Sequence, residues 1–291
     1  ATGATAGAAF GSLLLERLVA SGAVPTHHVL LMALVPLAVS IGLTRRADVT
    51  EGGVAAPEHT AVAGGSAAID RRGALRLVFG TRYLLVIGLI MLITNWAKTN
   101  GENQLFQVVQ ETLQGQVHAQ GLSGDAVKSF VKEGTTAFFG GFYFWVNALA
   151  LALQAIVASR ILKYGGFGSL FLLLPVIALL SYSIMVVLPL LAVVRTTQAA
   201  VNATDYSINN TARHVLWLPM SQSVTFKGKP TVDTLFVRAG DGMAAVTVLL
   251  GVQLLSASIR SYLLLNVALT VVWLIAAVWV AREHGGMAAS G

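Results

Sequence analysis

Residues 202–219, NATDYSINNTARHVLWLP, and residues 221–245, SQSVTFKGKPTVDTLFVRAGDGMAA, set amides and charges between long apolar runs. A carboxylate or guanidinium at the centre of a bilayer costs roughly 2.5–3.5 kcal/mol on insertion scales, so residues placed there line a path for something polar. On a helix, Asn202, Asp205, Tyr206, Asn209, Asn210 and Arg213 fall at offsets 0, 3, 4, 7, 8 and 11, a single polar stripe. Facing a wet cleft, the stripe lets Arg213 hold phosphate oxygens bidentately while the Asn and Tyr side chains bind a base or ribose. The alternative is structural: Asp205 and Arg213 pair with neighbouring helices and hold a bundle together.

Composition makes the surroundings lipid-facing. Only 11% of the residues are charged and mean hydropathy is +0.73, against about 25% charged in soluble domains. A spanning helix needs about 20 mostly apolar residues. Eight stretches qualify: 1–20, 26–44, 77–97, 137–158, 168–188, 190–218, 234–256 and 262–281. The first carries the small-residue ladder Gly3, Gly7, Gly11, which lets helices approach closely in lipid. It lacks the charged start of a signal peptide. There is no cysteine, so disulfides and thiolate metal sites are excluded.

Loop charge predicts the orientation, because Lys and Arg near span ends stay cytoplasmic. With the Arg45–Arg76 loop inside, one side collects Arg45, Arg46, Arg71, Arg72, Arg76, Arg82, Arg160, Lys163, Lys227, Lys229 and Arg282. The other collects Arg17, Lys98, Lys128, Lys132, Arg195 and Arg260, eleven against six. The C-terminus is therefore expected in the cytoplasm. Residues 45–76, rich in Gly, Ala and charge, cannot bury enough apolar surface to fold alone and read as a cytoplasmic linker. Residues 99–135 have helical spacing, with Ser123 as a possible second helix start, and read as an extracytoplasmic cap.

A cytoplasmic linker followed by six spans is the layout of the second half of a major facilitator, in which two six-helix halves rock around a midplane site. The expectation is an all-α polytopic membrane protein, a major-facilitator-like helical bundle that is N-terminally incomplete. Residues 1–44 would be the last two spans of the first half, with four earlier spans missing. Residues 45–76 would be the linker and 77–284 the second half.

Several other polar residues have two readings each. Arg238 and Asp241 lie one turn apart as a local ion pair, serving as a gate or snorkelling to the interface. Asp233 is read as a member of the same gate or as capping a helix after Pro230 and Thr231. Lys227 and Lys229 sit at the cytoplasmic mouth, as anion attractors or as topology markers. Arg160 and Lys163, in SRILKYGG, resemble the basic inter-helix turn with which major facilitators latch their inside face, which implies a conformational role. Glu102 is read as a helix-end carboxylate in water with Lys98 at i−4 as its partner. Asn147 and Gln154 share one face of an apolar span, for substrate contact or helix–helix hydrogen bonding.

Together TNGENQLFQVV, FFGGFYFWVNALALALQAIVASRILKYGG, ATDYSINNTARHVLWLP and FKGKPTVDTLFVRAGD resemble the nucleotide transporter family, the ATP/ADP translocases of plastids and obligate intracellular bacteria and their free-living bacterial relatives. The resemblance covers nearly the whole chain and is nearest the free-living branch. It implies a bacterial inner-membrane protein that exchanges nucleotides, with Glu102 in or beside the translocation path. Where plastid members carry a Lys after the Gly that follows their KGK segment, this chain has Asp241, which removes a cation facing an anionic substrate.

The expected partners are therefore a small-molecule substrate, a nucleotide, and the lipid bilayer. Arg213, with Arg195 or Arg238, would meet phosphates. The alternatives are a proton-coupled facilitator using Glu102, Asp205 or Asp241, and a scaffold that kept the fold without transport. There is no GxxxxGK[ST] phosphate loop, no HExxH and no GxSxG, so no enzyme, cofactor or metal site is expected. The net charge of +6 follows membrane topology, not a nucleic-acid face.

Overall fold

The computed structural model describes residues 7–14, 17, 37, 39–43, 46, 71–253 and 258–290. The predicted spans 1–20 and 26–44 and the linker 45–76 therefore lie largely outside the described residues. Those described are helical, without a strand among them. Helix α1 is Arg71–Gly80, α2 Arg82–Gln120, α3 Asp125–Ala152, α4 Ser159–Val187, α5 Leu191–Thr204, α6 Asn210–Leu216, α7 Gln222–Thr231, α8 Val237–Gln253 and α9 Ile259–Ser290. Three π-helical turns, Leu153–Ala158, Asp205–Asn209 and Val232–Phe236, join α3 to α4, α5 to α6 and α7 to α8 without ending the helix.

Four helical segments among the described residues are long and apolar enough to cross a membrane: Arg82–Gln120, Asp125–Val187, Gln222–Gly251 and Ile259–Gly286. The second, of 63 residues, is two rods. Gly166 has φ 70° and ψ −177°, a conformation essentially restricted to glycine, and the chain reverses there. Before the break, Phe139 stacks on Phe106 at one end of the bundle; just after it, Phe167 stacks on His284 at the other. The split matches the predicted spans 137–158 and 168–188. The predicted span 190–218 is a continuous rod, but its polar stripe keeps it out of the apolar set.

One end of the bundle is basic. Arg82 lies over the Trp279 ring at 5.1 Å, Tyr83 Oη donates to Leu216 O, and His284 Nε2 lies 3.4 Å from Val215 O. Arg160, Lys163 and Gly166 reach this same end. At the other end α2 runs on: its 39 residues span roughly 58 Å at 1.5 Å each, about twice the 30 Å of a hydrocarbon core. Its outer half pairs with the start of α3 as a helical hairpin, tied by Gln110 Nε2 to Thr135 Oγ1 at 2.8 Å. The expected cap is thus the continuation of two spans. Its second helix starts at Asp125 after Gly124, not on a Ser123 cap.

Lipid tails supply no hydrophobic drive between helices, so close approach and hydrogen bonds hold the rods together. At Gly240 of α8 an added Cβ would collide with the Leu92 carbonyl and crowd Asn95 and Trp96 of α2. The helices are locked beside it by Trp96 Nε1 donating to Thr247 Oγ1 at 2.9 Å.

Candidate functional site

The helix from 191 to 216 does not keep the period that its stripe assumes. The π turn Asp205–Asn209 inserts an extra residue into the helical path, and the polar residues on either side of it meet α2 at different levels. Asn202 is fully buried. Asp205 and Asn209 turn to α2, where Lys98 Nζ donates to Asp205 Oδ2 at 2.8 Å and Asn209 Nδ2 to Asp205 Oδ1 at 2.8 Å. Tyr206 brings its ring under Lys98 Nζ, 4.6 Å from the centroid. The stripe thus meets α2 as two clusters along its length, this one at Lys98 and a second at Met91 and Asn95.

Lys98, counted from sequence as an outer span-end cation, is instead a helix-interior residue paired within the bundle, its side chain 21% exposed. Its ammonium goes to Asp205, 107 positions away, not to Glu102 at i+4. For Asp205 this is the bundle-holding alternative.

Past the π turn, Asn210 and Arg213 face a cleft of about 280 Å³, lined by Asn95 of α2, Asn210, Arg213, His214 and Trp217, Lys229 of α7, and Asp233 and Val237 beyond it. Arg213 Nη2 donates to Met91 Sδ at 2.8 Å and stands 4.0 Å from Asp233 Oδ1. Thioether sulfur is a weak acceptor, and 4.0 Å is a loose ion pair, so most of the guanidinium's donor capacity faces the cleft. Asn210, Arg213, His214 and Trp217 follow the i, i+3, i+4, i+7 pattern, so Trp217 was readable as a member of this face.

Lys229 joins this cleft through a helix that runs where the sequence suggested a stop. Pro230 removes one backbone donor, yet α7 continues through it into the π turn Val232–Phe236, where a wider turn accommodates the lost hydrogen bond. Asp233 is consequently mid-helix and no cap, and the helix that carries the predicted span 234–256 begins earlier, at Gln222.

The remaining predicted residues are elsewhere. Arg195 lies over Phe138 at 5.5 Å and faces a groove with Phe142 and Trp145. It is 18 positions from Arg213, about 27 Å along a helix, so the two cannot share one phosphate chain. Arg238 Nη1 pairs with Asp241 Oδ2 at 3.4 Å, the local pair expected, but Arg238 is 80% exposed. Asp241 also accepts from Thr99 Oγ1 at 3.1 Å. Asn147 donates back to Tyr143 O of its own helix. Arg160, Lys163 and Lys227 are exposed, with Lys163 over Tyr164. Glu102 is half-buried on α2, one turn beyond Lys98. Among the described residues no three His, Cys, Asp or Glu side chains are grouped to hold a metal ion. No family model, curated protein or solved structure matches this chain.

Proposed function

We propose that the protein is a secondary membrane transporter that exchanges a nucleotide-class anion by alternating access. The observation that supports this reading is the cleft at Arg213 and Lys229. Two cations on different helices, two amides at Asn95 and Asn210 and one indole at Trp217 converge on a concave site inside a membrane-type bundle. A guanidinium offers a planar fork matched to phosphate oxygens, an ammonium adds a point charge, amides hydrogen-bond a base edge and an indole stacks on it. Asp233, in the same cleft, accepts from ribose hydroxyls.

At about 280 Å³ the cleft falls just below the 300–1,000 Å³ usual for ligand pockets, as befits a site completed by a facing bundle. The resemblance noted from sequence supplies the nucleotide and the exchange mode. The three π turns support the rocking, since such turns interrupt helices mostly at functional positions.

The test is exchange itself. The protein, expressed from its full natural reading frame and reconstituted in liposomes, should take up labelled ATP against internal ADP, and Arg213→Gln should abolish that flux at unchanged expression. Equal exchange by wild type and variant refutes the phosphate role. Uptake that follows a pH gradient without internal nucleotide would favour the proton-coupled alternative.

A further inference from the structure

The interior holds a set of amides that neither the cleft nor the Lys98–Asp205 pair uses. Asn100, Gln104, Gln198, Asn202 and Asn266 are at most 2% exposed, and the side-chain oxygen of each has no hydrogen-bond donor. They come from α2, α5 and α9, and their neighbours bring them to one level. Tyr182 Oη of α4 and Asn266 Nδ2 both donate to Ala97 O at 3.0 Å. A Cβ on Gly101 would meet both Gln198 Nε2 and Tyr182 Oη. Asn100 and Gln104 flank Gly101 on the face of α2 that carries Ala97, and Asn202 lies one turn from Gln198.

A buried polar atom left without a partner costs about 1–3 kcal/mol, and five at one level of a membrane bundle call for a common partner. We propose that this cluster binds a desolvated monovalent cation of the sodium or potassium class. Hard cations take oxygen ligands, and neutral carbonyl oxygens replace the hydration shell of a monovalent ion. A divalent ion needs more anionic ligands than are present, for no group of three acidic or imidazole side chains exists among the described residues.

Two further features fit the ion. A π turn starts at Asp205, three residues past Asn202, and interrupted transporter helices present backbone carbonyls to coupling ions. Glu102, next to Gly101, enters no ion pair among the described residues and shares the field of Lys98, whose ammonium is bonded to Asp205, so a cation beside Gly101 adds to its counter-charge. The amide nitrogens of Asn100 and Asn202 are also unpartnered; two waters completing the ion's shell would each accept one hydrogen bond from them.

The experiment is thermal unfolding of the purified protein in sodium, lithium, potassium and N-methylglucamine chlorides at equal ionic strength. One of the small cations should raise the midpoint saturably, by about 5–10 °C at a hundredfold excess over Kd. The double variant Gln198→Leu, Asn202→Leu should lose that shift, and Arg213→Gln, in the anion cleft, should keep it whether or not it transports nucleotide. Equal midpoints in all four salts overturn the proposal, as does a shift that survives the double variant or disappears in Arg213→Gln. Should the double variant not fold, equilibrium dialysis of the wild type with labelled sodium and potassium decides: one ion per chain supports the site, and none overturns it.

Discussion

Lys98→Met removes one side of a pair that the bundle has taken out of solvent. Lys98 and Asp205 meet at 2.8 Å with side chains 21% and 13% exposed, and breaking a buried pair from one side costs about 3–5 kcal/mol, because the other charge stays behind uncompensated. Residual exposure places this site at the lower end, about 3 kcal/mol. At about 2–4 °C per kcal/mol, the unfolding midpoint should fall by about 6–12 °C. The two partners are not equivalent. Asp205 without Lys98 keeps the Asn209 amide and the more distant Arg213 charge, whereas Lys98 without Asp205 keeps the Tyr206 ring and has Glu102 one turn away. Lys98→Met should therefore lower the midpoint more than Asp205→Asn. The double variant Lys98→Met, Asp205→Leu should recover most of the loss, since an apolar pair of similar volume has no charge to strand. The assay is thermal unfolding in detergent at constant salt. Single variants within 2 °C of wild type, or a double variant as unstable as the sum of the two, would refute the reasoning.

Gly240→Ala should destabilise by roughly 1–3 kcal/mol through overpacking, because the new methyl meets the Leu92 carbonyl and the Asn95 side chain. Gly242→Ala, with nothing within 4 Å, should instead stabilise by up to about 1 kcal/mol through helix propensity; unfolding midpoints check both. Gly166→Ala should cost about 1–3 kcal/mol, the strain of holding a side chain at φ 70°, and a midpoint equal to wild type would remove the reversal from that residue. Lys229→Gln should raise the KM for nucleotide about tenfold, the loss of one charge-assisted hydrogen bond, while Lys227→Gln, exposed and outside the cleft, stays within twofold in the same liposome assay.

Hydropathy carried the rod boundaries well because lipid-facing and packed positions are both apolar, so the signal depends on composition alone. That is why 137–158 and 168–188 bracket the reversal at Gly166 so closely. The pair Arg238–Asp241 was legible for a related reason, being local. What escaped was whatever depends on a change of helical period or on a distant partner. The stripe from Asn202 to Arg213 assumed 3.6 residues per turn, and the π turn at 205–209 divides it. Lys98 looked like a loop cation because its partner is 107 residues away. Pro230 looked like a stop because sequence shows the missing donor but not the widened turn that follows. The buried amide at Asn266 gave the same signal as Asn147, an amide within an apolar run; only tertiary contact separates an amide that bonds its own helix from one left without a donor.

The three polar regions lie in order along α2. Asn95 borders the anion cleft, Lys98 makes the ion pair, and Asn100, Gly101 and Gln104 face the amide cluster. Each is met by the helix running from 191 to 216, read in reverse: Arg213, then Asp205, then Gln198. A charge change at one level is therefore felt at the next through two rods that both levels share. The π turn lies between Arg213 and Gln198 on one of those rods, so a shift of one residue there would move the cleft and the ion pair together. On the proposed reading this joins anion exchange to cation occupancy mechanically: binding of a cation at Gln198 and Asn202 fixes the helix just before the turn, and so biases which way Arg213 faces. Coupling of this kind must be reciprocal in binding free energy. If the small cation that stabilises the protein also tightens nucleotide binding, nucleotide must tighten that cation by the same factor, and an unequal pair of factors would break the mechanical link while leaving both sites standing.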